Sequence, residues 1–168
     1  MSHAHIVWYN TTGELKNADG SVVPPDQMIL THPTYDAKDA PPEAELLQKV
    51  LDGLPAGAHI ELVQDEDYPD RSKHDFVDAW ECDHGTITCN LAKARGIHMN
   101  KIRTVRNKQL AGLDVPFMRA METGDASELA RIASKKQVLR DIPQTLDLTT
   151  DTQEELKAVW PIELLELE

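Results

Sequence analysis

The change from strand to helix falls within residues 76–113, which read FVDAWECDHGTITCNLAKARGIHMNKIRTVRNKQLAGL. The first half of this stretch predicts a β-hairpin. Residues 76–81 would form the outgoing strand, Asp83-His84-Gly85 the turn, and residues 86–89 the returning strand. Gly85 is the expected residue with positive φ, because glycine adopts that conformation without steric cost.

A long helix is predicted directly after the hairpin, from about Leu91 to Leu113. Asn90 stands at the expected N-cap position, where its short side chain can accept from free backbone N–H groups. The stripe expected to face a core consists of Leu91, Ala94, His98, Ile102, Val105 and Gln109. The predicted structural anchors are Phe76, Trp80, Ile102 and Val105. Trp80 in particular is expected to pack between the hairpin and this helix.

Two more helices are predicted downstream. Asp114 is expected to cap the first of them, with Pro116 in its first turn and an apolar side made of Phe117, Met118 and Met121. Gly124 would end this helix. Asp125 would cap the next, which we expect to stop at Leu139 because Pro143 bars its extension. The short connections predict that the first and last of the three helices are antiparallel neighbours.

The N-terminal residues predict a smaller, strand-containing region. Strands are expected at residues 5–9, 28–31 and 59–63, and a short helix at residues 43–51. The predicted fold class is therefore α+β, with a small N-terminal β-containing lobe and a hairpin followed by a C-terminal helical hairpin or three-helix region. The expected domains are the lobe at residues 1–69, the hairpin with its helical domain at residues 70–143, and an acidic tail at residues 144–168. Asp151 or Thr152 would cap a short helix within the tail.

Charge is distributed in blocks along the chain, whose net charge is -12. Residues 1–81 carry 16 Asp and Glu against 5 Lys and Arg, residues 82–142 carry 6 against 11, and residues 143–168 carry 7 against 1. The basic middle has no cationic run and no interleaved aromatic residues, so nucleic-acid binding is not expected. We interpret the basic helices as pairing with the acidic segments, either within one chain or between subunits.

Membrane insertion and export are not expected either. No apolar run approaches the length needed to cross a bilayer, and the N-terminus has no charged stretch followed by an apolar signal core. Two cysteines in such a chain do not form a disulfide framework, so both are expected to be reduced.

The sequence contains no pattern that predicts a catalytic or metal-binding site. Cys82, His84 and Cys89 are zinc-ligand types on one hairpin, but they lack the four ligands in recurring pairs of a structural zinc site. His98 falls on the apolar stripe of the long helix, where a core or interface histidine is commoner than a catalytic one. The remaining candidates are the pair His3 and His5, interpreted as a solvated terminus, and the acidic residues Asp65, Glu66, Asp67 and Asp70, interpreted as a solvated loop. No catalytic residue, cofactor or metal is therefore predicted.

The C-terminal end combines apolar and acidic residues in a segment too short to form a core alone. It is expected to be either frayed or docked on a neighbouring protein. The predicted partner interface consists of Trp160, Ile162, Leu164, Leu165 and Leu167.

A series of motifs follows one another between Asp70 and Pro161. The first is residues 70–72, DRS, followed by residues 76–81, FVDAWE. The others are residues 91–98, LAKARGIH; 103–106, RTVR; 110–114, LAGLD; 136–143, KQVLRDIP; and 156–161, LKAVWP. In this order they resemble the D-R-S/T-F-R-x-A-W, M-x-K-A-R-E-I-H, R-x-x-R, L-A-x-L-D, K-Q-x-L-R-D-x-P and L-K-x-x-W-P segments of small tailed-bacteriophage proteins encoded among tail and tail-fibre genes. Residues 73–75 lengthen the first segment here.

This resemblance implies a non-enzymatic phage protein that acts through protein–protein contacts. The leading hypothesis is a minor virion component of the tail or neck, an adaptor or fibre-attachment element. It would contact other tail or neck proteins, occur in several copies in a symmetric assembly, and reside in the host cytoplasm during assembly. The first alternative is a tail or tail-fibre assembly chaperone that is absent from the mature virion. The second is a zinc-dependent nucleic-acid-binding protein, which would need Cys82, His84 and Cys89 to hold the metal.

Overall fold

The structure, a computed structural model, describes residues 4–10, 16, 22, 28–31, 42–54, 58–64 and 67–165. Strands β1 (Ala4–Asn10), β2 (Met28–Thr31) and β3 (Ala58–Gln64) lie in the N-terminal part, with helix α1 (Glu43–Gly53) between the last two. A hairpin of β4 (Trp80–Asp83) and β5 (Thr86–Cys89) follows. Helices α2 (Leu91–Gly112), α3 (Asp114–Thr123), α4 (Ala126–Thr145) and α5 (Gln153–Ala158) complete the chain, before a single 3-10 turn at Ile162–Leu164. The fold is α+β, as predicted.

The chain divides into two compact units, Met1–Asn90 and Leu91–Glu168. The hairpin therefore clusters with the N-terminal strands and not with the helices. Likewise, the acidic tail clusters with the helical unit. The domain boundaries predicted after residues 69 and 143 do not coincide with this division.

The first unit is built on a three-stranded antiparallel sheet in the order β2-β1-β3. Val7 of β1 pairs with Leu30 on one side and Glu61 on the other. Val7 and Val63 are fully buried and cluster with Cys82 of the hairpin. Since residues on one face of a sheet alternate along each strand, this places the Val7 face of the sheet in the core of the unit.

The hairpin is shorter than predicted. Trp80 pairs with Cys89 and Asp83 with Thr86, which leaves His84 and Gly85 as a two-residue turn. Both turn residues have positive φ, 50° and 77°, so the prediction for Gly85 is confirmed. The prediction of strand at residues 76–79 is wrong. The returning strand ends at Cys89, and Val77–Ala79 forms a 3-10 turn in which the Ala79 carbonyl accepts from the Asn90 N–H at 2.8 Å.

The predicted long helix is confirmed as α2, with Ala94, His98 and Ile102 buried along one stripe. Val105 lies on the same stripe and is half-buried. In the first unit Phe76 and Trp80 are also buried. The Trp80 ring makes edge contacts with the rings of Tyr68 and His74, at centroid distances of 6.0 and 5.4 Å. Packing of Trp80 on α2 stays a prediction.

Helix α3 differs from the prediction in its cap and in its buried side. Asp114 is its first helical residue and not its N-cap, because Leu113, between α2 and α3, occupies the N-cap position and its carbonyl accepts from the Phe117 N–H. Ala120 is the buried residue of α3 and Phe117 is half-buried, whereas Met118 and Met121 are exposed. This short helix has apolar residues on two of its faces. Contacts with neighbouring helices therefore determine which of the two faces is buried.

Helix α4 begins as predicted and ends later than predicted. The Asp125 carboxylate accepts from the Glu128 N–H at 2.9 Å, which confirms the N-cap. The expected stop before Pro143 is wrong, because the helix continues to Thr145 with Pro143 inside it. A proline in the last turn removes one backbone hydrogen bond, while Leu139 and Ile142 remain buried on the inner side of the helix. Helix α4 contacts both α2 and α3.

Candidate partner-binding surfaces

The C-terminal segment lies along α2 and is held there by side chains that donate to its backbone. Arg95 Nη2 donates to the carbonyl oxygen of Thr150 at 2.7 Å, and Gln109 Nε2 to that of Leu164 at 2.9 Å. His98 Nε2 lies 2.8 Å from the carbonyl oxygen of Val159. Because a carbonyl oxygen can only accept, His98 carries its proton on Nε2 here. We name residues 146–165 the C-terminal strap.

Apolar side chains reinforce these hydrogen bonds. Leu156 of α5 is fully buried, and Leu148 and Leu164 are nearly so. The ring of Trp160 meets that of His98 edge-on, with 5.9 Å between centroids. The short helix starts with a complete capping box between Thr152 and Glu155, which confirms one of the two predicted caps. The strap is therefore an integral part of the helical unit.

Two of the side chains that bind the C-terminal strap also contain a buried polar atom without a hydrogen-bond partner among the described residues. Arg95 Nε and Gln109 Oε1 are buried and have no hydrogen-bond partner within the described residues. Such atoms cost free energy, which the bonds made by the other nitrogens of the same side chains partly offset. Sequence reasoning placed Gln109 on the inner stripe but assigned no role to it or to Arg95. Arg95 lies in residues 91–98, LAKARGIH, one of the segments that resemble phage proteins. That resemblance was the sequence signal that could have identified Arg95.

The residues predicted as a partner interface separate into an inner and an outer set. Leu164 is buried against its own unit and is unavailable to a partner, while Trp160 is half-buried beside His98. Ile162 and Leu165 are 66% and 63% exposed. Leu167 lies outside the described residues. The outer set that could reach another protein is therefore Ile162 and Leu165.

A second exposed apolar surface lies on α3 and was missed by sequence reasoning. Val115, Met118 and Met121 recur at intervals of three and are 57%, 61% and 60% exposed. We call these residues the α3 stripe. Its spacing is that of a core stripe, so the sequence alone favours burial. Exposed apolar residues grouped on one helix, with a flexible methionine pair among them, are typical of protein-binding surfaces.

The surface between α2 and α4 is charged. Lys136 Nζ lies 2.6 Å from Asp114 Oδ1 and 4.8 Å from the centroid of the Phe117 ring. The Lys136 side chain is only 11% exposed, and the Asp114 carboxylate compensates its charge within the unit. The contact joins the start of α3 to the middle of α4.

The hairpin residues considered for a metal site are not brought together as ligands. Cys82 is buried, and its Sγ donates to Glu61 Oε2 at 3.3 Å. Burial in the first place, and then the hydrogen bond to the Glu61 carboxylate, raise the pKa of Cys82 to about 12. Metal coordination requires the thiolate, which such a pKa disfavours. The His84 side chain lies in the turn and is 97% exposed. Within the described residues, no group of three His, Cys, Asp or Glu could hold a metal ion.

Glu61 joins the sheet to the hairpin turn, a role that sequence reasoning missed. Besides accepting from Cys82, its Oε2 accepts from the Gly85 N–H at 2.8 Å, and its Oε1 lies 3.1 Å from His59 Nε2. The Gly85 hydrogen bond lowers the pKa of Glu61, more than burial raises it. A Cβ at Gly85 would lie 3.1 Å from the backbone oxygen of Leu62, so the turn approaches β3 closely. The arrangement locks the hairpin onto the sheet.

The first unit also contains a cavity of about 230 Å³. Its walls are Met28, Ile29, Tyr68, Arg71, Val77, Asp78 and Trp80. Burial raises the pKa of Tyr68, with Arg71 acting in the opposite direction. Arg71 and Asp78 are both exposed. The cavity lining thus combines apolar side chains such as Met28 and Ile29 with the charged residues Arg71 and Asp78.

The remaining sequence candidates are the N-terminal histidines and the acidic residues before Arg71. Asp67 and Asp70 are exposed, and Asp70 accepts from the Ser72 N–H and hydroxyl, while His3, Asp65 and Glu66 are outside the described residues, as is the side chain of His5. No helix in the described part of the chain is long and apolar enough to span a bilayer.

Comparisons with protein-family models, with curated proteins and with solved structures found no match to this chain.

Proposed function

We propose that this chain is a non-enzymatic component of a bacteriophage tail or neck, an adaptor or fibre-attachment element that works through contacts with other tail or neck proteins. The observation that carries the proposal is the ordered series of phage-like segments over residues 70–161. Two of these segments, far apart in sequence, are in contact: His98 of residues 91–98 binds the carbonyl oxygen of Val159, which lies in residues 156–161. The segments that resemble phage proteins thus include the contacts that build the helical unit.

The exposed surfaces of this unit support a binding role. The α3 stripe, together with Ile162 and Leu165, leaves large apolar side chains in solvent on a chain of this size. Burying them on a partner would be favourable, at about 25 cal/mol per Å² of apolar surface removed from water. A protein that works through such contacts needs no reactive group.

Mass spectrometry of purified virions tests the proposal. The expected result is that the chain is present at a fixed ratio to the tail proteins. Its absence from virions, together with its recovery bound to unassembled tail or fibre proteins in infected cells, would contradict the virion role and assign the same surfaces to an assembly chaperone.

A surface variant makes the test specific to the contact. Met118→Lys places a charge on the α3 stripe, where it should leave the fold intact and reduce incorporation of the chain into virions. Lys108→Ala is the matched control, because Lys108 is exposed on α2 and outside the stripe. Equal incorporation of both variants would remove the α3 stripe from the proposed interface.

A further inference from the structure

A groove of about 350 Å³ opens between α2 and α4, where α3 begins. It is lined by Asn107, Leu110, Ala111, Asp114, Lys136 and Arg140. Leu110 and Ala111 supply apolar surface, and the remaining lining residues are polar or charged. We call this the α2–α4 groove.

Two arginines without a carboxylate partner among the described residues lie at this groove, Arg140 in its lining and Arg106 beside Asn107. Asp114 is already paired with Lys136 at 2.6 Å. Arg140 is exposed and has no hydrogen-bond or ion-pair partner within the described residues. Arg106 donates to Asn107 Oδ1 through Nε at 3.2 Å and Nη2 at 2.8 Å, so its guanidinium contacts a residue of the groove lining. Since an amide is neutral, this contact does not compensate the charge, and Arg106 has no carboxylate partner among the described residues. The groove lining thus combines apolar surface from Leu110 and Ala111 with an excess of positive charge.

The chain itself contains a segment of complementary character. Residues 162–168, IELLELE, combine four aliphatic residues with Glu163, Glu166 and Glu168 and carry no cation. Within this segment Ile162 and Leu165 are exposed. An aliphatic side chain in the groove would bring neighbouring carboxylates to Arg106 and Arg140, where pairs of opposite charge fix orientation and partner choice.

Within one chain, residues 162–168 are attached to the face of α2 that lies opposite the groove. Gln109, which holds the carbonyl of Leu164, follows Asn107 by two residues and precedes Leu110 by one. At about 100° per residue, Gln109 lies on the face of α2 opposite to the arc formed by Asn107, Leu110 and Ala111. The segment is therefore anchored away from its own groove, while Ile162 and Leu165 face solvent and can reach another molecule.

We propose that the α2–α4 groove of one copy binds the acidic aliphatic segment, residues 162–168, of a second copy. The contact is head-to-tail, because two different surfaces meet, and each copy can therefore bind one neighbour on each side. The inference rests on the proposed function in that a component repeated around a symmetric tail or neck can be held in place by contacts between its copies.

Sedimentation equilibrium of the purified full chain tests this contact. The wild-type chain should associate beyond the monomer mass of 18.8 kDa, more weakly at high salt. Arg140→Glu should weaken association at least about tenfold, and combining it with Glu163→Arg should restore most of the loss. Arg119→Glu makes the same charge change at an exposed position outside the groove and should leave association unchanged.

Circular dichroism of each variant establishes that the helices are intact, so a loss of association reports on the contact. A wild-type chain that stays monomeric at about 100 µM in low salt would overturn the inference, as would equal effects of Arg119→Glu and Arg140→Glu. A monomeric chain that is nevertheless found in virions would remove this contact alone and leave the proposed function standing.

Discussion

The Nε2 atom of His98, in the middle of α2, donates a hydrogen bond of 2.8 Å to the main-chain oxygen of Val159, 61 residues later in the chain. The histidine is 4% exposed. This one bond explains why a histidine lies on the apolar stripe of a long helix: it binds the strap that covers that stripe.

Replacement of His98 should therefore destabilise the helical unit. His98→Leu keeps the apolar bulk and removes the donor, which leaves a carbonyl unpaired. We expect a loss of about 1 to 3 kcal/mol in the free energy of unfolding, measured by denaturant titration followed by helical circular dichroism. His98→Gln retains a donor and should lose less. Lys108→Ala, on the exposed side of the same helix, is the control, and a His98→Leu effect no larger than that of the control would contradict the assigned bond.

Trp80 should be a major anchor of the first unit. Its ring is 4% exposed and lies edge-on to Tyr68 and His74. Trp80→Ala should cost roughly 3 kcal/mol or more, because a large cavity remains. Thr88→Ala on the exposed side of β5 is the matched control. An effect under roughly 1 kcal/mol in the same denaturation experiment would show that the ring is not packed as described.

The link between Glu61 and the hairpin turn should make stability depend on pH. The pKa of Glu61 is lowered in the folded chain, mainly by the Gly85 N–H. A lowered folded pKa means that the carboxylate stabilises the fold above its unfolded pKa of about 4.3, and that this stabilisation is lost as the pH falls through the folded value. Glu61→Gln cannot contribute in this way.

The measurement is the difference in unfolding free energy between wild type and Glu61→Gln. It should be largest near neutral pH and shrink as the pH falls from about 5 to about 3. Asp67→Asn, at an exposed position, controls for the general effect of removing one charge. A difference that is constant over this range would exclude a stabilising role for the Glu61 carboxylate.

The Cys82 thiol should be unreactive in the folded chain. Its pKa is raised to about 12 by burial and by Glu61, so almost no thiolate exists at neutral pH. In a Cys89→Ser variant, Cys82 should react with an alkylating reagent only after denaturation. Metal analysis of the same sample should find no zinc that depends on Cys82. Rapid labelling of Cys82 in the folded chain would contradict the hydrogen-bonded, buried thiol.

Local pattern was sufficient for many elements. The strand at residues 28–31, the long helix after Asn90, the left-handed Gly85 and the Asp125 cap all follow from residues close in sequence, because turns, caps and helical periodicity depend on near neighbours. The sequence pattern did not predict the buried face of a helix where two faces were equally apolar. In α3, either Phe117 with Ala120 or Met118 with Met121 could have faced inward, and contacts with other helices selected the first pair.

The candidate surfaces depended more on the tertiary structure. The sequence identified the apolar and acidic end of the chain, yet it could not separate Leu164, which is buried, from Leu165, which is exposed. The α2–α4 groove joins residues from Asn107 to Arg140, and no local pattern brings these together.

For this chain, composition and short-range chemistry determined that it is α+β, with strands first and helices last, and that its charge alternates in blocks. The tertiary structure alone decided which apolar stripes are covered, that the strap closes over α2, and that the hairpin belongs with the sheet. The physical reason is that a hydrogen bond from His98 to Val159, or from Gly85 to Glu61, pairs groups distant in sequence. Only the folded backbone determines which of many chemically equivalent partners lies within reach.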